Sequence, residues 1–374
     1  MAKDPVLVVL QLSGGNDYLN TVVPYANSLY WDNRTSINIP EDQVVQLDDK
    51  VGFNPSMAPL KAFYDEGNMA IMHGVGYANS PRSHFRSMDI WHTCEPDKVG
   101  TEGWLGRVIR EIDPNKENVV TGVSFGQSMF RAMALSGVPV ACVSGSLENY
   151  GMLPGIERQQ REKILQRFAN AYSPVVGQGE VMDYLGNTGL DSLAGADILK
   201  VAPGKYNSTV AYPDTKLGQK LRGVSQIHNA EVGTRVFYLD HGPYDTHAGQ
   251  LSAHRELWSE VSAAVPAFFE DLREQGNADN VVMFIFTEFG RRVRDNGSGT
   301  DHGAGGVCFA LGDAVKGGQY SEYPSMKAED LVQGDLNPNL DFRSVYTTLL
   351  EDWMKLDAKP IVNGQFEKPA FINN

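Results

Sequence analysis

Five polar clusters in the chain carry side chains capable of chemistry. They are Asn16-Asp17 in a glycine turn, Arg82-Ser83-His84, Asp240-His241 with Asp245-Thr246-His247, Glu288 with Arg291, and Asp301-His302. Carboxylates and imidazoles together suit zinc, manganese or iron, whereas calcium and magnesium prefer oxygen-only shells. The expectation is a divalent metal held by Asp17, Asp245, His247, Asp301 and His302, zinc first, with manganese, iron or calcium as alternatives. Such an ion polarises a phosphoryl or sulfuryl oxygen and lowers the pKa of water or a serine. Ser83 opens a helix predicted over Ser83–Trp91, where the positive field of a helix N-terminus favours an anionic substrate. Ser83, His84, Glu288 and Arg291 are the candidate catalytic groups, with His84 or Glu288 moving protons. Arg82, Asn16, Asp240 and His241 are the candidate substrate contacts, and either Arg82 or Arg291 could grip an anion through two parallel hydrogen bonds.

Plain structural roles compete with each assignment. Ser83 is a good N-cap, Asp17 could merely brace the glycine turn, and Asp301 could cap the turn before the last strand. Glu288 and Arg291 could form an ordinary ion pair. His73, His92, His228 and His254 have no acidic partner in a matching motif and are read as structural.

The elements that would position these groups are legible as apolar runs. Val6–Leu12, Met69–Val75, Val119–Phe125, Val138–Val143, Arg235–Asp240, Val281–Phe286 and Gly306–Leu311 read as strands, Val6–Leu12 being the nearly continuous apolar run of a strand covered on both faces. Leu257, Val261, Ala264, Val265, Phe268 and Leu272 recur at helical spacing, with Pro266 expected to bend that helix and Gly276-Asn277 to end it. Strands alternating with helices imply parallel pairing through right-handed crossovers, hence an α/β fold: a doubly wound, mostly parallel sheet with helices on both faces. The clusters fall at strand ends, where open α/β sheets bind ligands. Residues 1–374 are read as a single domain. A polar helix over Glu157–Ala171 leads a Gly-, Asn-, Asp- and Ser-rich stretch, so 151–223 is expected to be a helical lid or insertion that sets substrate choice.

Composition narrows the function classes. The net charge of −14 suits a nucleic-acid partner poorly, because phosphate backbones need clustered Lys and Arg. No apolar run approaches the ~18 residues of a membrane helix. Three scattered cysteines, Cys94, Cys142 and Cys308, make neither a disulfide framework nor a zinc-finger spacing. The chain opens Met1-Ala2-Lys3-Asp4-Pro5 and enters a strand at once, which reads as a cytosolic protein or one whose leader was removed. The sequence leaves the oligomeric state open.

The segments LSGGNDYLNTVVPY (12–25), RSHF (82–85), YDTHAGQ (244–250), FTEFGRRV (286–293), GTDHGAGG (299–306), LGDAVKGG (311–318) and DFRSVY (341–346) resemble, in order, a widespread bacterial family of unknown function. That family is usually exported by the twin-arginine route and is distantly related to the alkaline phosphatase and sulfatase superfamily. The resemblance implies an alkaline-phosphatase-like fold and a periplasmic or extracellular location. It also implies a metal site in which Asp245 and His247 resemble the Asp and His after one strand, and His302 resembles the final ligand. Ser83 stands where the nucleophile opens a helix. Glu288-Phe289 replaces an Asp-His pair, and Asp17 is displaced from the end of the first strand, so a single-metal site fits better than a two-metal one.

The function expected is a metal-dependent hydrolase of phosphate or sulfate esters acting on a small anionic substrate. Two alternatives stand beside it. One is a non-catalytic exported binding protein that keeps the fold. The other is a metal-free serine esterase, although no GDS block and no G-x-S-x-G elbow is present.

Overall fold

Strand β1, Val6–Leu12, is buried along its whole length at the centre of the main sheet. Its residues alternate between two cores. Val6, Val8, Leu10 and Leu12 face one, and Leu7 and Val9 face the other, as the two-residue period of a strand requires. Each fully buried Val or Leu there contributes about 1.5–3 kcal/mol of transfer free energy. The computed structural model describes residues 3–147, 156–173, 176 and 179–373.

The remaining strands of this nine-stranded sheet are β2 (Met69–Gly76), β3 (Gly122–Phe125), β4 (Ala141–Val143), β5 (Val236–His241), β6 (Val281–Phe286), β7 (Gly306–Leu311), β8 (Gly318–Tyr320) and β9 (Leu340–Asp341). The order is β8-β2-β7-β6-β1-β5-β3-β4, with β9 paired to β2. β1 runs parallel to both β5 and β6, in unbroken register from Leu7↔Val236 and Val6↔Val281. β7 is antiparallel to both of its neighbours, β6 and β2. The expected doubly wound, mostly parallel sheet is present, and this one reversal decides the site. Had β7 been parallel, the Thr300–Gly303 segment before it would lie at the opposite edge. Reversed, its amino end joins the carboxyl ends of β1, β2, β5 and β6.

Helices cover both faces. Gln250–Glu274 and Lys216–Asn229 pack into the first core, and His84–Thr93, Trp104–Ile112 and Phe342–Thr348 into the second. The long helix continues through Pro266. β3 and β4 begin later than the apolar runs suggested, because the residues before them are spent on turns. The short strands β8 and β9 extend the sheet beyond the last strand read from sequence. A small sheet of Val22–Val23, Val45–Gln46 and Gly52–Phe53 was also not foreseen, two residues per strand being too short for a periodic signal.

The segment expected to be a lid, 151–223, is helical over Arg158–Tyr172, Glu180–Leu199 and Ala202–Lys205 before Lys216–Asn229. Residues 148–155, 174, 175, 177 and 178 lie outside the described residues. Helix Glu180–Leu199 packs against β4, the outermost strand on its side.

Three buried histidines brace the folds of the chain. His73 meets the Tyr18 hydroxyl at 2.7 Å, and burial pushes its imidazole down to about 4. Burial also lowers His254, which bonds Asn16, to about 4, and His92 to about 3. All three are neutral when folded and take up protons near ~6.5 when unfolded. Their share of stability is therefore present above pH ~6.5 and is lost as pH falls toward about 4 for His73 and His254, and toward about 3 for His92. Denaturant unfolding at a series of pH values should show stability declining below pH ~6.5, each histidine adding up to about 1.4 kcal/mol per pH unit. A flat profile between pH 7 and 5 would contradict this assignment.

Candidate metal centre

Asp245 is the point on which the strand-end loops converge. Its Oδ1 lies 2.8 Å from Arg291 Nη1 and 3.0 Å from both His302 Nε2 and His247 Nε2. Its Oδ2 lies 3.4 Å from His84 Nε2. His247 Nε2 and His302 Nε2 are 3.0 Å apart. Burial raises the Asp245 carboxyl, but the hydrogen bond and charge of Arg291 outweigh it and hold the group below the usual carboxylate range.

The far side of each imidazole fixes what its near side can be. His84 Nδ1 meets Glu288 Oε1 at 2.8 Å, His302 Nδ1 meets the Arg82 carbonyl at 2.8 Å, and His247 Nδ1 meets Asp301 Oδ1 at 3.2 Å. All three partners are acceptors, so each Nδ1 carries a hydrogen and each ring turns its Nε2 toward Asp245, where a neutral ring offers a lone pair. Metal-ligating histidines characteristically donate their second nitrogen to a carboxylate or carbonyl in this way. His84 Nε2 is buried and makes no hydrogen bond. One ligand atom from each of His84, Asp245 and His302 lies within 4.8 Å of the other two. Donors ~2.0–2.1 Å from a common ion at 90–110° stand about 3.0–3.4 Å apart. The orphaned His84 nitrogen and the surplus of facing lone pairs both fit a divalent cation. The donor set His84, Asp245 and His302, with His247 beside it, suits zinc, manganese or iron.

The backbone around this point admits little else. Gly14 has φ +119°, and a Cβ there would sit 2.5 Å from the Asp245 backbone nitrogen. A Cβ on Gly299 would come within 2.3 Å of the Thr246 carbonyl, so the loops bearing Asp245 and Asp301 close directly on one another. Gly290 and Gly303 exchange hydrogen bonds with the facing segment, Gly303 N to Gly290 O at 2.9 Å and Gly290 N to Ala304 O at 2.8 Å, and this registers Arg291 opposite His302.

Several residues named from sequence are placed differently from expectation. Asp17 does not join the cluster: its carboxylate is buried and spent on Arg34, at 2.5 and 2.8 Å, and on Gln250. Breaking that pair costs about 3–5 kcal/mol, the usual penalty for an orphaned buried charge. Asn16 faces the core, its Oδ1 accepting from Trp258 at 3.1 Å and His254 at 3.0 Å. Asp240 is paired with Lys220 at 2.5 Å, and His241 with Tyr244 at 3.1 Å and Glu260 at 3.2 Å, so neither reaches the cluster. The Arg82 guanidinium is held by Asp335 at 2.6 Å; its carbonyl, not its side chain, serves the site. Arg291 is wholly enclosed by Asp245, Gly14 and Thr300 and cannot grip a substrate anion. Glu288 and Arg291 pair with His84 and Asp245, not with each other. Asp301 orients His247 instead of facing the other donors. Ser83 is the N-cap of helix His84–Thr93, yet its hydroxyl makes no cap bond. Phe289, at the position of the missing histidine, lies 5.0 Å from the His84 ring and 5.1 Å from the His302 ring, centroid to centroid.

A cleft of about 770 Å³ opens beside the cluster, with Asp245, Glu288 and His84 in its wall. It is also lined by Gln11 and Ser13, which the sequence reading passed over, and by His92, which it read as structural. Tyr238 and His92 both donate to Gln11 Oε1, His92 at 2.9 Å, and Gln11 Nε2 donates to the Ser13 hydroxyl at 2.6 Å. Ser13 therefore keeps its own hydrogen to donate, and it lines the cleft, whereas Ser83 does not. None of the described residues of 151–223 lines this cleft either. The only sequence signal for Ser13 was its place at the end of the first strand, where the glycine turn drew attention to Asp17 instead.

With this geometry in view, the chain can be set beside known proteins. Residues 219–364 match the profile of the family described as "Protein of unknown function (DUF1501)", and five of the seven motif segments, from YDTHAGQ to DFRSVY, lie within that range. No curated protein matches the chain. Among solved structures, it is similar to that of Ps i-CgsB, with 10% identity, TM-score 0.42, and 98% of this chain and 73% of that one covered. It is similar to a protein in the alkaline phosphatase superfamily from Vibrio parahaemolyticus, with 11% identity, TM-score 0.40, and 98% and 70% covered. It is also similar to the PsFucS1 sulfatase from Pseudoalteromonas sp., with 12% identity, TM-score 0.38, and 99% and 70% covered.

If the cluster holds metal, the carboxylates behind its histidines should set the affinity. In a zinc competition titration, Glu288→Gln and Asp301→Asn should each weaken binding by about 10–100-fold. Asp240→Asn, whose partner is Lys220, should leave it unchanged. Equal affinities in all four proteins would remove the assigned orienting roles.

Proposed function

We propose that the protein is a metal-dependent hydrolase of phosphate or sulfate esters. The observation that carries this reading is the convergence of three imidazole Nε2 atoms on Asp245, each ring held from behind by an oxygen acceptor. His84, Asp245 and His302, with His247 alongside, would hold the ion. Bound there, a divalent metal supplies Lewis-acid polarisation of the ester and lowers the pKa of water.

The protein's own groups do the rest. Arg291 holds Asp245 from beneath and balances its charge inside the loop cluster. Glu288 keeps the His84 ring oriented; its hydrogen bond raises the His84 pKa more than burial lowers it. With both nitrogens so committed, His84 serves as a ligand and not as a proton carrier. The Ser13 hydroxyl, oriented by Gln11, donates a hydrogen bond to a non-bridging oxygen of the bound ester. In hydrolysis the oxygen of water bonds to phosphorus or sulfur, and the ester oxygen leaves and gains a proton. A metal-free serine esterase requires a histidine bonded to its serine. Neither Ser13 nor Ser83 has one among the described residues.

Protein stripped and reloaded with zinc or manganese should turn over one or more of 4-nitrophenyl phosphate, bis(4-nitrophenyl) phosphate and 4-nitrophenyl sulfate. Ser13→Ala should lower kcat/KM by about 10–100-fold, as loss of one preorganised donor does. Ser83→Ala should stay within about threefold of the wild type, since its hydroxyl contributes no donor to the cleft wall. No turnover of any ester with any metal would defeat the hydrolase reading. A Ser83→Ala variant as inactive as His302→Ala would return the attacking role to Ser83.

A further inference from the structure

The cleft beside the cluster has more room and a different surface than a phosphate or sulfate group needs. At about 770 Å³ it falls within the range of small-molecule sites, whereas a tetrahedral anion fills only a small part of that space. One wall is apolar and exposed. Phe85, the residue after His84, is 92% exposed, and Val99 is 71% exposed. Phe85 and Met88 stand three residues apart in helix His84–Thr93 and so share a face of it, and Pro243 lies on the wall with them. Neighbouring large apolar side chains left in water mark a surface that binds something. Gln11 and Ser13 add polar groups to the lining of the same cleft.

We infer that the cleft is a subsite for the alcohol portion of the ester and that it takes a flat apolar group, an aryl ring, stacked on Phe85. This rests on the ester-hydrolase reading and names the class of substrate. The occupant is a small molecule because the apolar side chains line the same cleft as His84 and Asp245 of the candidate metal centre. An aromatic ring offers the large area and favourable ring-on-ring geometry that an exposed phenylalanine can use.

The test uses two non-hydrolysable anions that differ by one ring, benzylphosphonate and methylphosphonate, and neutral benzyl alcohol. Binding to the zinc-loaded protein is measured by calorimetry, or by ligand-observed NMR for the alcohol. Benzylphosphonate should bind about tenfold more tightly than methylphosphonate, the order expected for shielding one ring from water. Phe85→Ala, at an exposed position, should erase that preference while leaving methylphosphonate affinity within about twofold. Benzyl alcohol should bind wild type and His302→Ala alike and fail to bind Phe85→Ala. Equal affinity for the two phosphonates, or a preference that survives Phe85→Ala, would overturn the subsite. Benzyl alcohol binding that depends on Phe85, with no phosphonate bound, would leave the subsite standing and defeat the ester reading. A dimer seen by light scattering that dissociates in Phe85→Ala, with no benzyl alcohol bound, would assign the wall to a second copy and overturn the proposal.

Discussion

The site is organised by an electrostatic conflict at Asp245. The Asp245 carboxylate, charge-balanced by Arg291, faces the Nε2 atoms of His84, His247 and His302, whose Nδ1 hydrogens are committed to other oxygens. Lone pairs pointed at lone pairs at 3.0–3.4 Å repel one another unless a cation or extra protons stand between them. Arg291 relieves the carboxylate on one side only. Glu288, Asp301 and the Arg82 carbonyl ensure that none of the rings can turn its hydrogen inward without abandoning a partner. A divalent metal would resolve the conflict without disturbing any of these bonds.

The fold sustains this arrangement by backbone contact as much as by side chains. The reversal of β7 delivers His302 to the edge where β1, β5 and β6 end. Gly14 and Gly299 allow the loops to meet at distances that no side chain could occupy. Beneath them, the buried Arg34–Asp17 pair ties the first loop to the carbonyls of Arg292 and Val293. Asp17 thus holds the scaffold of the centre without belonging to it. The cleft adjoining this rigid centre is built from helix His84–Thr93, the turn after β1 and the segment after β5. His84 and Phe85 are consecutive in the chain, so one candidate ligand and one exposed apolar side chain of the cleft stand a single residue apart.

Much of the fold was legible in the sequence, because long apolar runs such as Val281–Phe286 admit few readings in a parallel sheet. The direction of β7 was not legible, since apolar periodicity carries no information about strand polarity. Asp245, His247 and His302 could be read from their place at strand ends. The other assignments depended on which way a side chain turns. Asp17 and Asn16 stand in a loop that looks exposed in sequence, yet both side chains point inward to Arg34 and Trp258. Arg82 serves through its carbonyl, which no residue-type argument can detect. His84 was read as a proton carrier; its bond to Glu288 and its bare Nε2, which sequence cannot show, make it a candidate ligand. Ser13 was obscured by the glycines that follow it.

The proposed chemistry requires that these residues hold an ion. The most direct measurement is elemental mass spectrometry of bound metal per chain, on protein purified without chelator or affinity-tag metal, beside His302→Ala and Asp240→Asn. A metal site at Asp245 predicts about one zinc, manganese or iron per chain in the wild type and in Asp240→Asn, and its loss in His302→Ala. A metal-free wild type that stays metal-free after reloading, or metal retained undiminished in His302→Ala, would contradict it.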